Sequence, residues 1–283
     1  MRDMGETKTI PWVLEKKKRH QKITMLTAYD YPLASLVDAA GVDMILVGDS
    51  LANVVLGLAS TTEVGMSEMI HHAKAVRRGV KQALLIGDMP FESYQSDTAR
   101  AVDNARRFVQ EAGCHAVKLE WFDRCLEVTE RIVKAGIPVM GHVGLTPQTA
   151  EQLGGFKVQG KDADSAGRII DDAKSLEKAG CFSLVLECIP SPIAKIITEE
   201  LSIPTIGIGA GPDCDGQVLV THDLIGLFDR FKPKFVKQYV DSGALILEGL
   251  KRFRQEVEEG QFPDVPHSYS MNPEELAHLK KCE

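Results

Sequence analysis

Short apolar runs recur along the chain, and the stretches between them carry helical periodicity. The runs are Ile23 to Ala28, Met44 to Val47, Ala83 to Ile86, Ala116 to Leu119, Ile137 to Met140, Leu184 to Leu186, Thr205 to Ile208 and Val218 to Val220. At this length, and rich in Val, Ile and Leu, they read as strands buried on both faces, as in a parallel sheet. Ala-Gly pairs recur ahead of strands, at Ala40-Gly41, Ala112-Gly113, Ala135-Gly136 and Ala179-Gly180. A glycine just past a helix end takes the left-handed conformation that terminates it, so each pair reads as a helix stop. Ser67 is expected to cap a helix over Glu68 to Arg78, with Met69, Ile70, Ala73 and Val76 on its apolar side. Eight such repeats predict an α/β protein closed into a (β/α)8 TIM barrel.

The 283 residues, 44% of them hydrophobic, read as one domain over 1–283, with its core at about 23–228. Helical extensions are expected at the N-terminus and over about 229–283. Phe231 to Gln255 reads as mostly helical, with Phe235, Tyr239, Ala244, Leu247 and Leu250 at buried positions. Beyond Gly260, the prolines at 263 and 266 and a charged tail suggest extended, partly disordered chain. Thirty-three basic against 40 acidic residues, net charge -7, suit small-molecule partners and give no electrostatic reason to expect nucleic acid. No apolar run reaches the roughly 20 residues a membrane helix needs, and the polar N-terminus has no signal-peptide pattern. Six scattered cysteines without a C-x-x-C pair point to reduced thiols in a cytoplasmic protein rather than to zinc or disulfides.

The residues that end the strands carry the chemistry. Asp49 follows Ile45 to Gly48, Asp88 follows Leu84 to Gly87, and Glu120 follows Val117 to Leu119; His142 follows Val139 to Gly141, and Glu187 follows Leu184 to Leu186. In a parallel barrel these ends share one rim, the face where active sites form. Lys118 and Glu120, two apart, share a strand face and are expected inside the barrel. A single Asp at a strand end is commonly only the N-cap of the next helix, and a lone Glu a solvated rim residue. Lys118 is harder to dismiss, because a lysine within a strand must pair or reach solvent. Coincidence over five strands favours a site.

Clustered carboxylates repel, and one lysine is too little compensation for four of them. A divalent cation supplies the rest, and the oxygen donors favour Mg²⁺ over zinc, since His142 has no second histidine or cysteine at a matching strand end. Such an ion with open positions chelates a 2-oxo acid and stabilises the enolate formed on loss of the adjacent proton, with Glu187 placed as the base. Ile206 to Gly211 reads either as a phosphate-approach loop or as glycines packed at the rim. His71-His72 and Lys16-Lys17-Lys18-Arg19 read as solvated.

Seven motifs come in a known order: Val47-Gly48-Asp49-Ser50, Gly87 to Phe91, Val117 to Glu120, Gly141 to Gln148, Gly154 to Gly160, Leu186 to Pro190 and Ile206 to Gly211. Over about Thr24 to Leu227 the chain resembles the ketopantoate hydroxymethyltransferase family. The resemblance implies a phosphoenolpyruvate/pyruvate-type barrel that transfers a one-carbon unit from 5,10-methylenetetrahydrofolate to 3-methyl-2-oxobutanoate. It implies Asp49 and Asp88 as direct Mg²⁺ ligands that also meet the keto acid, with Glu120 at the metal through water. Ser50, Lys118 and His142 would bind the keto acid, and Glu187 would be the acid/base. Members usually form large homo-oligomers, commonly decamers. The family often has two glycines after Val-Lys-Leu-Glu, where this chain has Trp121 and Phe122, which would narrow the folate entrance or repack the loop. The alternatives are a C–C lyase or mutase of the same superfamily, whose lyases carry a Lys-Lys-Cys-Gly-His loop missing here, and a non-catalytic barrel with a metal- or protein-binding acidic rim.

Overall fold

A computed structural model describes residues 7–149 and 157–279. Gly154, Gly155 and Phe156 of the fifth motif, and Cys282, lie outside the described residues. Eight parallel strands close into a barrel in chain order: β1 Ile23–Thr27, β2 Met44–Val47, β3 Leu84–Asp88, β4 Ala116–Lys118, β5 Val139–Gly144, β6 Ser183–Glu187, β7 Thr205–Ile208 and β8 Gly216–Leu219. The helices are α1 Ile10–Lys18, α2 Tyr31–Ala39, α3 Leu51–Val54, α4 Met66–Gly79, α5 Thr98–Gln110 and α6 Cys125–Lys134. They continue with α7 Ala163–Lys178, α8 Ser191–Glu200, α9 Thr221–Leu224, α10 Ser242–Glu258 and α11 Pro273–Leu279.

Strand alternation divides the core in two. Met25, Met44, Leu84, Ile86, Ala116, Met140, Val185, Ile206 and Val218 fill the barrel interior. Ile45, Val47, Leu85, Val117, Val139, Val143, Leu184 and Leu186 face outward into the helix layer. Three strands run further than their apolar runs suggest, because their last inward positions are polar: Asp88 on β3, His142 on β5 and Glu187 on β6 lie within the strands. The polar side chains are thus the top layer of the barrel filling.

The four glycines of the Ala-Gly pairs all have φ between 70° and 98°, as helix stops require. The start of α4 differs from expectation: Gly65 is its N-cap, and the Glu68 carboxylate accepts from the Gly65 N–H, so Ser67 lies inside the first turn. The Gly209 and Gly211 backbones sit against Phe235 and Ser191, which supports packing at the rim. The described cysteines are free, and all but the half-buried Cys188 are buried.

Lys16 and Lys17 are not solvated. Lys16 bonds Asp43 (2.8 Å) and Lys17 bonds Asp215 (2.7 Å), which pins α1 across the N-terminal mouth with Val13 in the barrel core. His72 is likewise engaged, its Nδ1 2.7 Å from the Tyr29 carbonyl oxygen.

The C-terminal helix corrects a larger expectation. It begins at Ser242, capped by Asp241, after irregular chain that includes Pro233. Tyr239, Leu247 and Leu250 are 65%, 51% and 61% exposed, Ala244 is also exposed, and only Phe235 is partly buried. Apolar periodicity reveals a face without revealing what covers it. The tail beyond Gly260 also forms the helix α11, which the proline-based reading as extended chain did not foresee.

Candidate active site

The mouth at the C-terminal strand ends gathers five of the predicted residues into one buried cluster: Asp88 and Glu120 are 1% exposed, His142 1%, Lys118 4% and Asp49 5%. Asp88 and Lys118 are direct partners in the β3–β4 register, so their side chains point the same way. Lys118 Nζ donates to both Asp88 oxygens at 2.8 and 2.9 Å and stands 3.6 Å from Glu120 Oε1. The Asp49 N–H donates to Asp88 Oδ2 at 3.3 Å. His142 lies between two carboxylates, its Nδ1 3.4 Å from Glu120 and its Nε2 3.4 Å from Glu187. Those contacts are at ion-pair range but off the hydrogen-bond direction, which leaves both buried ring nitrogens without a partner. Glu187, with 16% of its side chain exposed, is the outermost of the set. Ser50 begins α3, and its hydroxyl is 2.8 Å from the Tyr29 hydroxyl.

Charge is out of balance here. Burial, then the negative charges of Asp88 and Glu120, hold the Asp49 carboxyl well above the usual carboxylate range. Burial also pushes Asp88 up, against the pull of Lys118. Glu120 goes the other way: burial works to raise it, but Lys118, His142 and the Gln148 N–H together keep it low. For His142, burial and Lys118 favour the neutral ring, yet contacts to Glu120 and Glu187 outweigh them and lift it to about 9. The cluster therefore has more carboxyl groups than fixed positive charge to balance them in a desolvated space, and a proton or a bound cation must make up the difference.

Among the described residues no three His, Cys, Asp or Glu side chains form a ready-made metal shell. The donor set still fits a magnesium-type ion, which needs one or two carboxylates and keeps its remaining positions for water and substrate. Asp49 and Asp88 are adjacent at the mouth, the backbone N–H of Asp49 donating to the Asp88 carboxylate. Asp88 is held on both oxygens by Lys118, and Glu120 by the Gln148 N–H with Lys118 and His142 at ion-pair range.

Three site residues escaped the sequence: Tyr29, Tyr94 and Gln148. Gln148 lies in a short 3-10 turn over Pro147–Thr149 and is 4% exposed. It lies within the Gly141–Gln148 motif, but no strand-end rule assigns it a task. Trp121 and Phe122 pack on the outer core, the Trp121 N–H donates to the His142 carbonyl (3.0 Å), and Phe122 meets Tyr94 edge-on at 5.3 Å.

A family model described as ketopantoate hydroxymethyltransferase matches residues 7–265. The 3-methyl-2-oxobutanoate hydroxymethyltransferase of Syntrophomonas wolfei is 55% identical over 271 residues, 96% of this chain and 98% of that protein. The enzyme of the same name from Moorella thermoacetica is 56% identical over 261 residues, covering 92% and 97%. Among solved structures, a phosphonopyruvate hydrolase superposes with a TM-score of 0.60 at 12% identity, covering 98% of this chain and 96% of that chain. A 2,3-dimethylmalate lyase gives 0.57 at 14%, with the same coverage. These last two share the barrel, whereas the sequence relatives share its residues, and on their evidence the chain belongs to the ketopantoate hydroxymethyltransferase family.

Proposed function

We propose that this barrel mouth transfers a hydroxymethyl group from 5,10-methylenetetrahydrofolate to 3-methyl-2-oxobutanoate, giving 2-dehydropantoate for pantothenate and coenzyme A synthesis. The observation that carries the reading is the buried cluster of Asp49, Asp88, Lys118, Glu120 and His142, with Glu187 on its outer side. Asp49 and Asp88 would hold Mg²⁺ directly, and Glu120 would face it through water. Bound there, Mg²⁺ supplies electrophilic stabilisation of the negative charge that develops on the keto oxygen. Lys118 and the protonated His142 add fixed positive charge beside the keto acid, and Ser50, steadied by Tyr29, offers a hydroxyl. Glu187 takes the C3 proton onto its carboxylate. In the net reaction the enolate carbon bonds to the folate methylene carbon, both bonds from that carbon to N5 and N10 break, and water supplies the hydroxyl oxygen; the C3 proton and one water proton end on the two nitrogens of the departing tetrahydrofolate.

Family membership favours this transferase over the lyase or mutase alternative. The chain acts as a single barrel domain, and its free thiols suit the cytoplasm; among the described residues no helix is long and apolar enough to cross a membrane. Homo-oligomer formation, a decamer by family resemblance, is supported by α10, where Leu245, Ile246, Leu250, Phe253 and Val257 are each between 47% and 62% exposed. Proton exchange at C3 of 3-methyl-2-oxobutanoate tests the chemistry by NMR. Exchange that needs Mg²⁺, with product appearing only on adding methylenetetrahydrofolate, supports it. Absence of both, in folded protein, overturns it.

A further inference from the structure

Gln148 touches none of the reacting groups proposed above, yet it binds two of the carboxylates at once. Its Nε2 donates to Asp49 Oδ2 (2.9 Å) and to the Met89 carbonyl (3.1 Å). Its backbone N–H donates to Glu120 Oε2 (3.0 Å). The Tyr94 hydroxyl donates to Gln148 Oε1, and Tyr94 in turn packs against Phe122. The amide orientation follows from this set: a carboxylate and a carbonyl accept only, so the nitrogen must face them, and the oxygen is left for the one hydroxyl. Both amide hydrogens are used, and the side chain has no freedom to turn.

Two consequences follow. One oxygen each of Asp49 and Glu120 is tied to Gln148, which leaves Asp49 Oδ1 for a ligand and turns Glu120 Oε1 towards Lys118 and His142. Gln148 also does this without charge. A lysine or arginine there would cancel the negative surplus that attracts a cation, and a glutamate would repel Asp49. We infer that Gln148, locked by Tyr94 and Phe122, is a positioning residue that fixes the metal-facing orientation of Asp49 and Glu120. The inference rests on the proposed Mg²⁺ reading of the site.

The test is Mg²⁺ titration by calorimetry on wild type, Gln148→Met and Tyr94→Phe, with thermal melts as a check on folding. Gln148→Met keeps volume and the backbone N–H but removes every side-chain bond. Outer partners of metal ligands typically govern about 10–100-fold in affinity, so Mg²⁺ affinity is expected to fall by that order in Gln148→Met and by less in Tyr94→Phe. Proton exchange at saturating Mg²⁺ should return towards the wild-type plateau in both, which general damage to the fold would prevent. If Gln148→Met does not fold, Tyr94→Phe decides. Variants that fold and bind Mg²⁺ as wild type does overturn the positioning role alone. A wild type that binds no Mg²⁺ overturns the reading of the whole site, and this inference with it.

Discussion

The two ends of the barrel both contain buried or half-buried aspartates, and they treat them oppositely. At the N-terminal end each accepts three hydrogen bonds from lysine, threonine or backbone donors. Asp43 accepts from Lys16 and from the N–H and hydroxyl of Thr24; Asp215 accepts from Lys17 and the same two groups of Thr205; Asp38 accepts from the amides of residues 81–83. At the C-terminal end Asp88 and Glu120 share Lys118, Asp49 accepts from the uncharged Gln148, and His142 is set between Glu120 and Glu187 with no aligned hydrogen bond. Satisfied charge marks an end that holds the fold together, and unsatisfied charge marks an end kept ready for a ligand. What separates structure from function here is that Asp43 and Asp215 each have a lysine of their own, whereas the carboxylates of the mouth crowd around one.

The largest effect that would sharpen this contrast is at Glu187. Glu187→Gln should slow C3 proton exchange by about 10²–10⁴-fold, the usual contribution of a positioned base, while the melting temperature stays near wild type. Wild-type exchange in that variant would remove Glu187 from the base role. Asp215→Ala should do the reverse. It removes the counter-charge of Lys17, which keeps only its bond to the Thr198 carbonyl, and strands the Thr205 N–H, costing about 1–3 kcal/mol in urea unfolding, and leaves exchange per folded molecule unchanged. Lost exchange without lost stability would break the division between the two ends.

A smaller effect concerns pH. The folded-state pKa of His142 is raised from 6.5 to about 9, so the stability it adds is complete below pH 6.5 and disappears as pH rises through 9. Asp49 is an acid held above its ordinary range, so its ionisation at rising pH also favours the unfolded chain. Both signs agree. Chelated protein should lose stability between pH 6.5 and 9, and His142→Asn should flatten that slope; a slope of opposite sign would refute the charge assignment. The smallest effect on the barrel belongs to α10. Leu250→Glu with Phe253→Glu should lower the sedimenting mass while leaving the barrel's circular dichroism unchanged, and an unchanged mass would separate this helix from self-association.

Much of the barrel was legible because parallel strands buried on both faces leave short unbroken apolar runs, and because glycine is the residue that tolerates the turn after each helix. The mouth was legible for the same reason: Asp88, Lys118, His142 and Glu187 occupy the last inward positions of successive strands, so alternation alone puts them together. Gln148 and Tyr94 were not legible, since they belong to irregular chain whose direction is set by tertiary contacts. Lys16 and Lys17 looked solvated because their partners are remote, Asp215 being 198 positions from Lys17. The exposed face of α10 was misread as buried because an amphipathic pattern is identical whether the cover comes from the same chain or another.

The pinning of α1 has a consequence for how the molecule assembles. Strands β1 and β8 bring together the first and last parts of the barrel, and Lys17 reaches the approach to β8 from a helix that precedes β1. Contacts of such long sequence separation carry the greatest loop-closure cost and tend to form late. Translation must therefore pass β8 before the helix at the beginning of the chain can fasten the seam. Asp49, Asp88 and Lys118 are synthesised long before that moment, but their strands become part of a closed ring only when the seam shuts.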